Sequence, residues 1–75
     1  MDDHLLAAFG AHVKKLRLSS SLSQEQLALR ADIDRTYISG IERGKRNVSV
    51  VNLFKIARAL NIPASKLLDF KAENP

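Results

Sequence analysis

The chain contains no cysteine and no tryptophan, only 5% aromatic residues, two prolines and three glycines. Lack of cysteine removes disulfides, thiolate metal sites and cysteine nucleophiles, while leaving the compartment open. Apolar runs last only a few residues, far short of the roughly 20 that cross a bilayer as a helix. The opening Met1-Asp2-Asp3-His4 is acidic and lacks the basic start of a secretory leader, so a cytoplasmic protein is expected. No strand-type alternation, internal repeat or low-complexity segment is present. A glycine-rich phosphate loop is missing too. Ser19, Ser20 and Ser21 have no His–acid constellation beside them and read as a linker. His4 and His12 stand eight residues apart, too far to share a metal, and read as surface residues. The expectation is therefore no enzyme, no metal or other cofactor, no membrane partner and no small-molecule ligand.

What remains is one small domain spanning 1–75, with a core thin enough to hide only about 60% of the unfolded chain's surface. Hydrophobic content of 45% argues against disorder. The net charge is +4, and it is unevenly spread. Arg35, Arg43, Lys45 and Arg46 against Glu42 concentrate positive charge in the window 35–48, whereas residues 1–34 are slightly acidic. Such a window suits a polyanion such as DNA, although a solvated basic surface reads the same way.

Spacing predicts five helices and an all-α fold. In the first, about 5–19, Leu6, Phe9, Val13 and Leu16 form one stripe. Gly10 interrupts it, either tolerated or letting another helix come close. Ser23 and Gln26 form a capping box opening a second helix at about 24–31, with Leu27, Ala28 and Ala31 inward. Asp32-Ile33-Asp34 is a turn, and Asp34 caps a third helix at about 35–43, with Ile38 and Ile41 inward and Gly44 just past its end. Ser49 caps a fourth, about 50–61, whose core stripe is Leu53, Ile56, Ala57 and Leu60. A short fifth covers about 64–70, and 71–75 is a frayed tail.

Two short helices joined by a three-residue turn, the second flanked by basic residues, have the layout of a helix-turn-helix. In that arrangement the second helix enters the major groove with its N-terminal residues at base edges. Here those residues are Arg35, Thr36, Tyr37 and Ser39, with Arg43 further on. Arginine can grip guanine bidentately, and a threonine methyl can meet a thymine methyl.

On these residues the chain resembles the Cro/repressor-type (XRE) helix-turn-helix family over residues 9–70. The resemblance is carried by Leu22-Ser23-Gln24-Glu25-Gln26-Leu27-Ala28 and by Tyr37-Ile38-Ser39-Gly40-Ile41-Glu42-Arg43-Gly44-Lys45-Arg46. Asp34 to Arg43, with Arg46 and Asn47, is most similar to the small controller proteins of restriction–modification systems. The resemblance implies a five-helix, lambda-repressor-like domain. It implies a sequence-specific transcriptional regulator that binds double-stranded DNA as a homodimer on a pseudo-palindromic operator, acting on its own operon and a linked endonuclease gene. It also implies that Arg35, Thr36 and Ser39 face bases. Arg17, Gln24, Tyr37, Arg43, Lys45, Arg46 and Asn47 would meet the backbone or a groove edge. Two positions depart from the pattern: Ser21 stands where the family often has Gly, and Asp32 where it usually has Gly in the turn.

Other readings stand beside these. Glu42 pairs internally, with Arg17 or Arg43, and Tyr37 could be a packing residue. On a helical wheel Phe54 lies about 100° and Val51 about 160° from Leu53, off the core stripe. Val51, Phe54, Leu67, Leu68 and Phe70 are therefore expected to form a dimer interface, unless the fifth helix folds onto Val51 and Phe54 within one chain. RNA polymerase is a further candidate partner, through an acidic spot such as Glu25. The rival function is an antitoxin-type protein-interaction module, with Phe54, Leu68 and Phe70 holding a toxin. A phage-type repressor head severed from its dimerisation domain is a third.

Overall fold

The computed structural model describes residues 3–72, which are all-helical: α1 (Asp3–Ser19), α2 (Gln24–Ala31), α3 (Arg35–Glu42), α4 (Val50–Ala59) and α5 (Ala64–Leu67). α1 packs on α3, α3 on α2, α2 on α4, and α5 closes the bundle against α4 and α1. The core is where the apolar stripes converge. Val13, Leu27, Ile38, Ile41, Ile56 and Leu67 are fully buried there. Leu53 sits at its edge, partly buried.

The helix starts follow the capping residues. Ser23 Oγ accepts the Gln26 N–H at 3.0 Å and the Gln26 side chain accepts the Ser23 N–H at 2.8 Å, closing the capping box. Ser49 Oγ accepts the Asn52 N–H at 3.1 Å.

The helix ends share one device. Beyond α1, α2, α3 and α4 a single residue turns left-handed: Ser21 (φ 59°), Asp32 (φ 56°), Gly44 (φ 72°) and Asn61 (φ 59°). Around each, two reversed backbone bonds form, as in Lys45 N–H to Gly40 O at 2.9 Å and Gly44 N–H to Ile41 O at 3.0 Å. The same pair forms around Ser21, with Leu22 N–H to Arg17 O at 3.2 Å and Ser21 N–H to Leu18 O at 3.0 Å. Ser21 and Asp32 thus adopt the geometry that glycine usually supplies.

Several boundaries move. α1 starts at Asp3, where an acidic side chain suits the positive end of the helix dipole. α3 stops at Glu42, α4 at Ala59 and α5 at Leu67, each shorter than its apolar pattern. α4 cannot continue through Asn61 once that residue turns left-handed. α5 is one turn, with no side-chain cap at Pro63, held by the fully buried Leu67. Past it, the Phe70 ring packs on Phe9 at 5.8 Å and on His12 at 5.5 Å between centroids. His12 is therefore no plain surface residue: its Nε2 also bonds Lys66 O at 2.8 Å and ties α1 to α5. In the expected tail, Lys71 and Ala72 are exposed outside any helix, and 73–75 lie outside the described residues.

Gly10 permits the α1–α3 contact. A methyl group there would collide with the carbonyl of Ile41. Among the described residues no helix is long and apolar enough to cross a membrane.

Candidate nucleic-acid interface

The turn Asp32-Ile33-Asp34 sets α3 against α2. Asp34 caps α3 with a carboxylate oxygen that accepts the Thr36 N–H at 2.8 Å and the Thr36 hydroxyl at 2.6 Å. Those two bonds, then the charges of Arg35 and Arg46, hold the Asp34 carboxyl below the usual carboxylate range. It is ionised at neutral pH, at the positive end of α3. Arg35 and Thr36 are exposed beside it, and Ser39 is half-exposed one turn on. Because its hydroxyl is committed to Asp34, Thr36 offers a base its methyl group.

The loop after α3 carries Lys45, Arg46 and Asn47, all exposed. Tyr37 fastens it. The phenol donates to Asn47 O at 3.2 Å and accepts the Ser49 N–H at 3.3 Å. The structure thus gives the half-buried Tyr37 a loop-holding role, next to the expected contact with the DNA backbone or a groove edge. The Arg46 guanidinium lies 5.4 Å from the Tyr37 ring centre, a cation–π contact. Arg43 is exposed, with its Nε–H turned to Ser39 O at 3.3 Å.

Arg17 departs from expectation. It is only 6% exposed and sits inside the bundle. Its Nε donates to Glu42 Oε2 at 2.7 Å, one terminal nitrogen to Glu42 Oε1 at 2.9 Å and the other to Leu22 O at 2.7 Å. Three of its five N–H groups are spent on these inward bonds, where contact with the DNA backbone was expected. Hydrogen bonding to Glu42 raises its pKa above the ordinary arginine value. Of the two partners considered for Glu42, the structure selects Arg17. Gln24 joins them: its amide donates to Glu42 Oε1 at 3.1 Å, leaving one N–H for a phosphate.

The apolar face is smaller than expected. Val51, Phe54 and Leu68 are 65%, 53% and 58% exposed, and Val50, outside the expected set, is 71% exposed. Leu67 is fully buried and leaves the expected interface, whereas Phe70 is half-buried against Phe9 and lines a groove next to Leu68. The alternative of α5 folding over Val51 and Phe54 is not what the chain does. Beside this face, Leu5, Phe9, Val48, Val50, Leu53 and Leu68 help to line that apolar groove, of about 220 Å³.

A family model described as helix-turn-helix matches residues 13–67, both α2 and α3 included. Control protein C.BamHI of Bacillus amyloliquefaciens is 51% identical over 71 residues, spanning 93% of this chain and 88% of that one. Control protein C.MunI of a Mycoplasma species is 57% identical over 60 residues, 79% of this chain and 81% of that one. The crystal structure of the restriction–modification controller protein C.AhdI of Aeromonas hydrophila superposes with a TM-score of 0.81 at 48% identity, over 83% of this chain and 94% of that one.

Proposed function

The chain belongs to the helix-turn-helix family, among the controller proteins of restriction–modification systems, and is a DNA-binding transcriptional regulator; we propose that it acts as a homodimer reading a pseudo-palindromic operator. One observation carries the mechanism. The N-terminus of α3, capped by Asp34, presents the exposed Arg35 and Thr36 to solvent. Arg35 reads a guanine edge, the Thr36 methyl meets a thymine methyl, and Ser39 reaches the next step. Gln24, at the start of α2, and Arg43, Lys45, Arg46 and Asn47 hold the phosphates or a groove edge.

A single α3 covers only a few base pairs. A two-fold partner supplies the second α3 about 34 Å away, one turn of DNA, and the two half-sites then mirror the protein's dyad. Val50, Val51, Phe54 and Leu68 form the face for that contact, since exposed apolar residues clustered on one side of α4 and α5 gain most from mutual burial. Regulation then follows from where the dimer sits. At one position it excludes RNA polymerase; at another it helps recruit it, with the exposed Glu25 of α2 as a contact. Its operator would be its own promoter and that of a linked endonuclease gene, so protein concentration is the signal and no cofactor or small ligand is needed. DNA as the target puts the protein in the cytoplasm.

Selection of bound duplexes from a random-sequence pool at about 150 mM salt tests this, because backbone-only binding is weakened there. An enriched pseudo-palindrome is the expected result. Binding without enrichment would reduce the basic window to phosphate neutralisation. No binding would hand the leading role to the exposed apolar face as a protein-binding surface.

A further inference from the structure

Gly40 sits in the middle of α3, where glycine is among the poorest helix formers. Its backbone does not require glycine, because Gly44 is the one positive-φ glycine among the described residues. Nor does it admit a neighbouring helix, as Gly10 does. A methyl group on Gly40 would stand 2.6 Å from Cγ of Arg46 and 3.5 Å from its Cβ and Cδ. The missing side chain is therefore a notch, and the aliphatic stem of Arg46 lies in it.

The surroundings hold the arginine in that notch from both ends. Gly40 O accepts the Lys45 N–H at 2.9 Å, which pins the chain immediately before Arg46. The guanidinium runs back over Tyr37, three residues and about one turn nearer the start of α3, at 5.4 Å from the ring centre. Tyr37 in turn fastens the loop at Asn47 O and Ser49 N–H. Arg46 is thus laid along α3 toward Arg35 and Thr36. An arginine free in solvent would lose rotamer freedom on binding, and this one has surrendered much of it in advance.

We propose that Gly40 is a positioning residue for DNA binding: its notch delivers the Arg46 guanidinium beside the reading end of α3. The proposal rests on the DNA-binding reading above and adds to it a residue that touches no DNA. Alanine at 40 improves helix propensity, and the nearest atoms its methyl group meets all belong to the Arg46 stem, which must swing out of the notch. Its effects on folding and on binding should therefore run in opposite directions, which a merely structural glycine would not show.

The test uses Gly40→Ala, Arg46→Ala and the double variant, on the full chain, with the duplex recovered by selection as probe. Gly40→Ala is expected to melt at or above the wild-type temperature and to bind about tenfold more weakly, the size of one charge-assisted contact. Its salt slope should flatten by about one unit, as that of Arg46→Ala should. The double variant should bind like Arg46→Ala alone. In the wild type, NMR should show the Arg46 Nε–H shifted by the Tyr37 ring, and Gly40→Ala should abolish that shift. Wild-type binding by Gly40→Ala, a fully additive double variant, or an unfolded Gly40→Ala would each overturn the proposal. If Arg46→Ala binds normally while Arg35→Ala does not, the proposal falls and the DNA reading stands. If the wild type binds no duplex, the reading beneath it falls instead.

Discussion

Arg17 and Glu42, 25 residues apart in the chain, form a two-pronged ion pair that closes the end of α1 onto the end of α3. Their side chains are 7% and 2% exposed, and every buried side-chain nitrogen and oxygen among the described residues has a partner. Glu42 also accepts from Gln24, so the three helices that frame the turn meet on one carboxylate. A buried pair gains little over a well-packed apolar one, but breaking it strands a charge.

Glu42→Ala should therefore cost about 3–5 kcal/mol, most of what so small a domain has. Urea unfolding followed by circular dichroism measures it. A loss below about 1 kcal/mol would put the pair on a par with an exposed salt bridge. Replacing both partners together, Arg17→Met with Glu42→Leu, should recover part of the loss, because no lone charge is left behind.

Arg35→Ala should weaken operator binding by about 1–3 kcal/mol and relax preference at one base position, with no change in melting, since Arg35 is exposed. Competition with single-base operator variants reads this directly. If the variant discriminates among sites as well as the wild type, Arg35 contacts only the backbone.

Phe54→Glu should weaken self-association by at least about 30-fold, as truncation of an interface hot spot does, while each chain stays folded. The side chain is 53% exposed in the single chain, so a carboxylate there meets water. Sedimentation equilibrium distinguishes the species. An unaltered mass would place the dimer contact elsewhere.

Ser21→Gly should raise stability by about 0.5–1 kcal/mol. Left-handed geometry costs an L-residue about 1–2 kcal/mol, and the extra freedom of glycine in the unfolded chain returns part of that. At 75 residues the melting temperature should rise by about 2–6 °C. A fall would mean that the Ser21 side chain stabilises the α1–α2 loop more than its backbone strains it.

Much of this molecule is local, and local features are legible in a sequence. Capping by Ser23, Asp34 and Ser49, the left-handed Asp32 and Gly44, and the inward stripes of α2 and α3 each depend on residues within about one turn of one another. Phe54 and Val51 stand off their stripe for the same reason: a helix of known period has a computable outside. Exposure of Arg35 and Thr36 follows from that period too.

Tertiary packing decided the rest. Nothing in the spacing of Arg17 separates an arginine that reaches outward from one that turns in to Glu42, since the choice depends on where α3 ends in space. Leu67 and Phe70 look alike as apolar residues near the C-terminus. One anchors a single-turn helix in the core, and the other folds back onto Phe9 and His12. Tyr37 spends its hydroxyl on a loop ten residues away, and Gly40 receives a side chain that arrives with that loop. The sequence by itself determined the helices, their caps and the outward face of the reading helix, because those obey a period and a short range. Which polar groups are free to meet DNA was decided only when distant segments closed on one another.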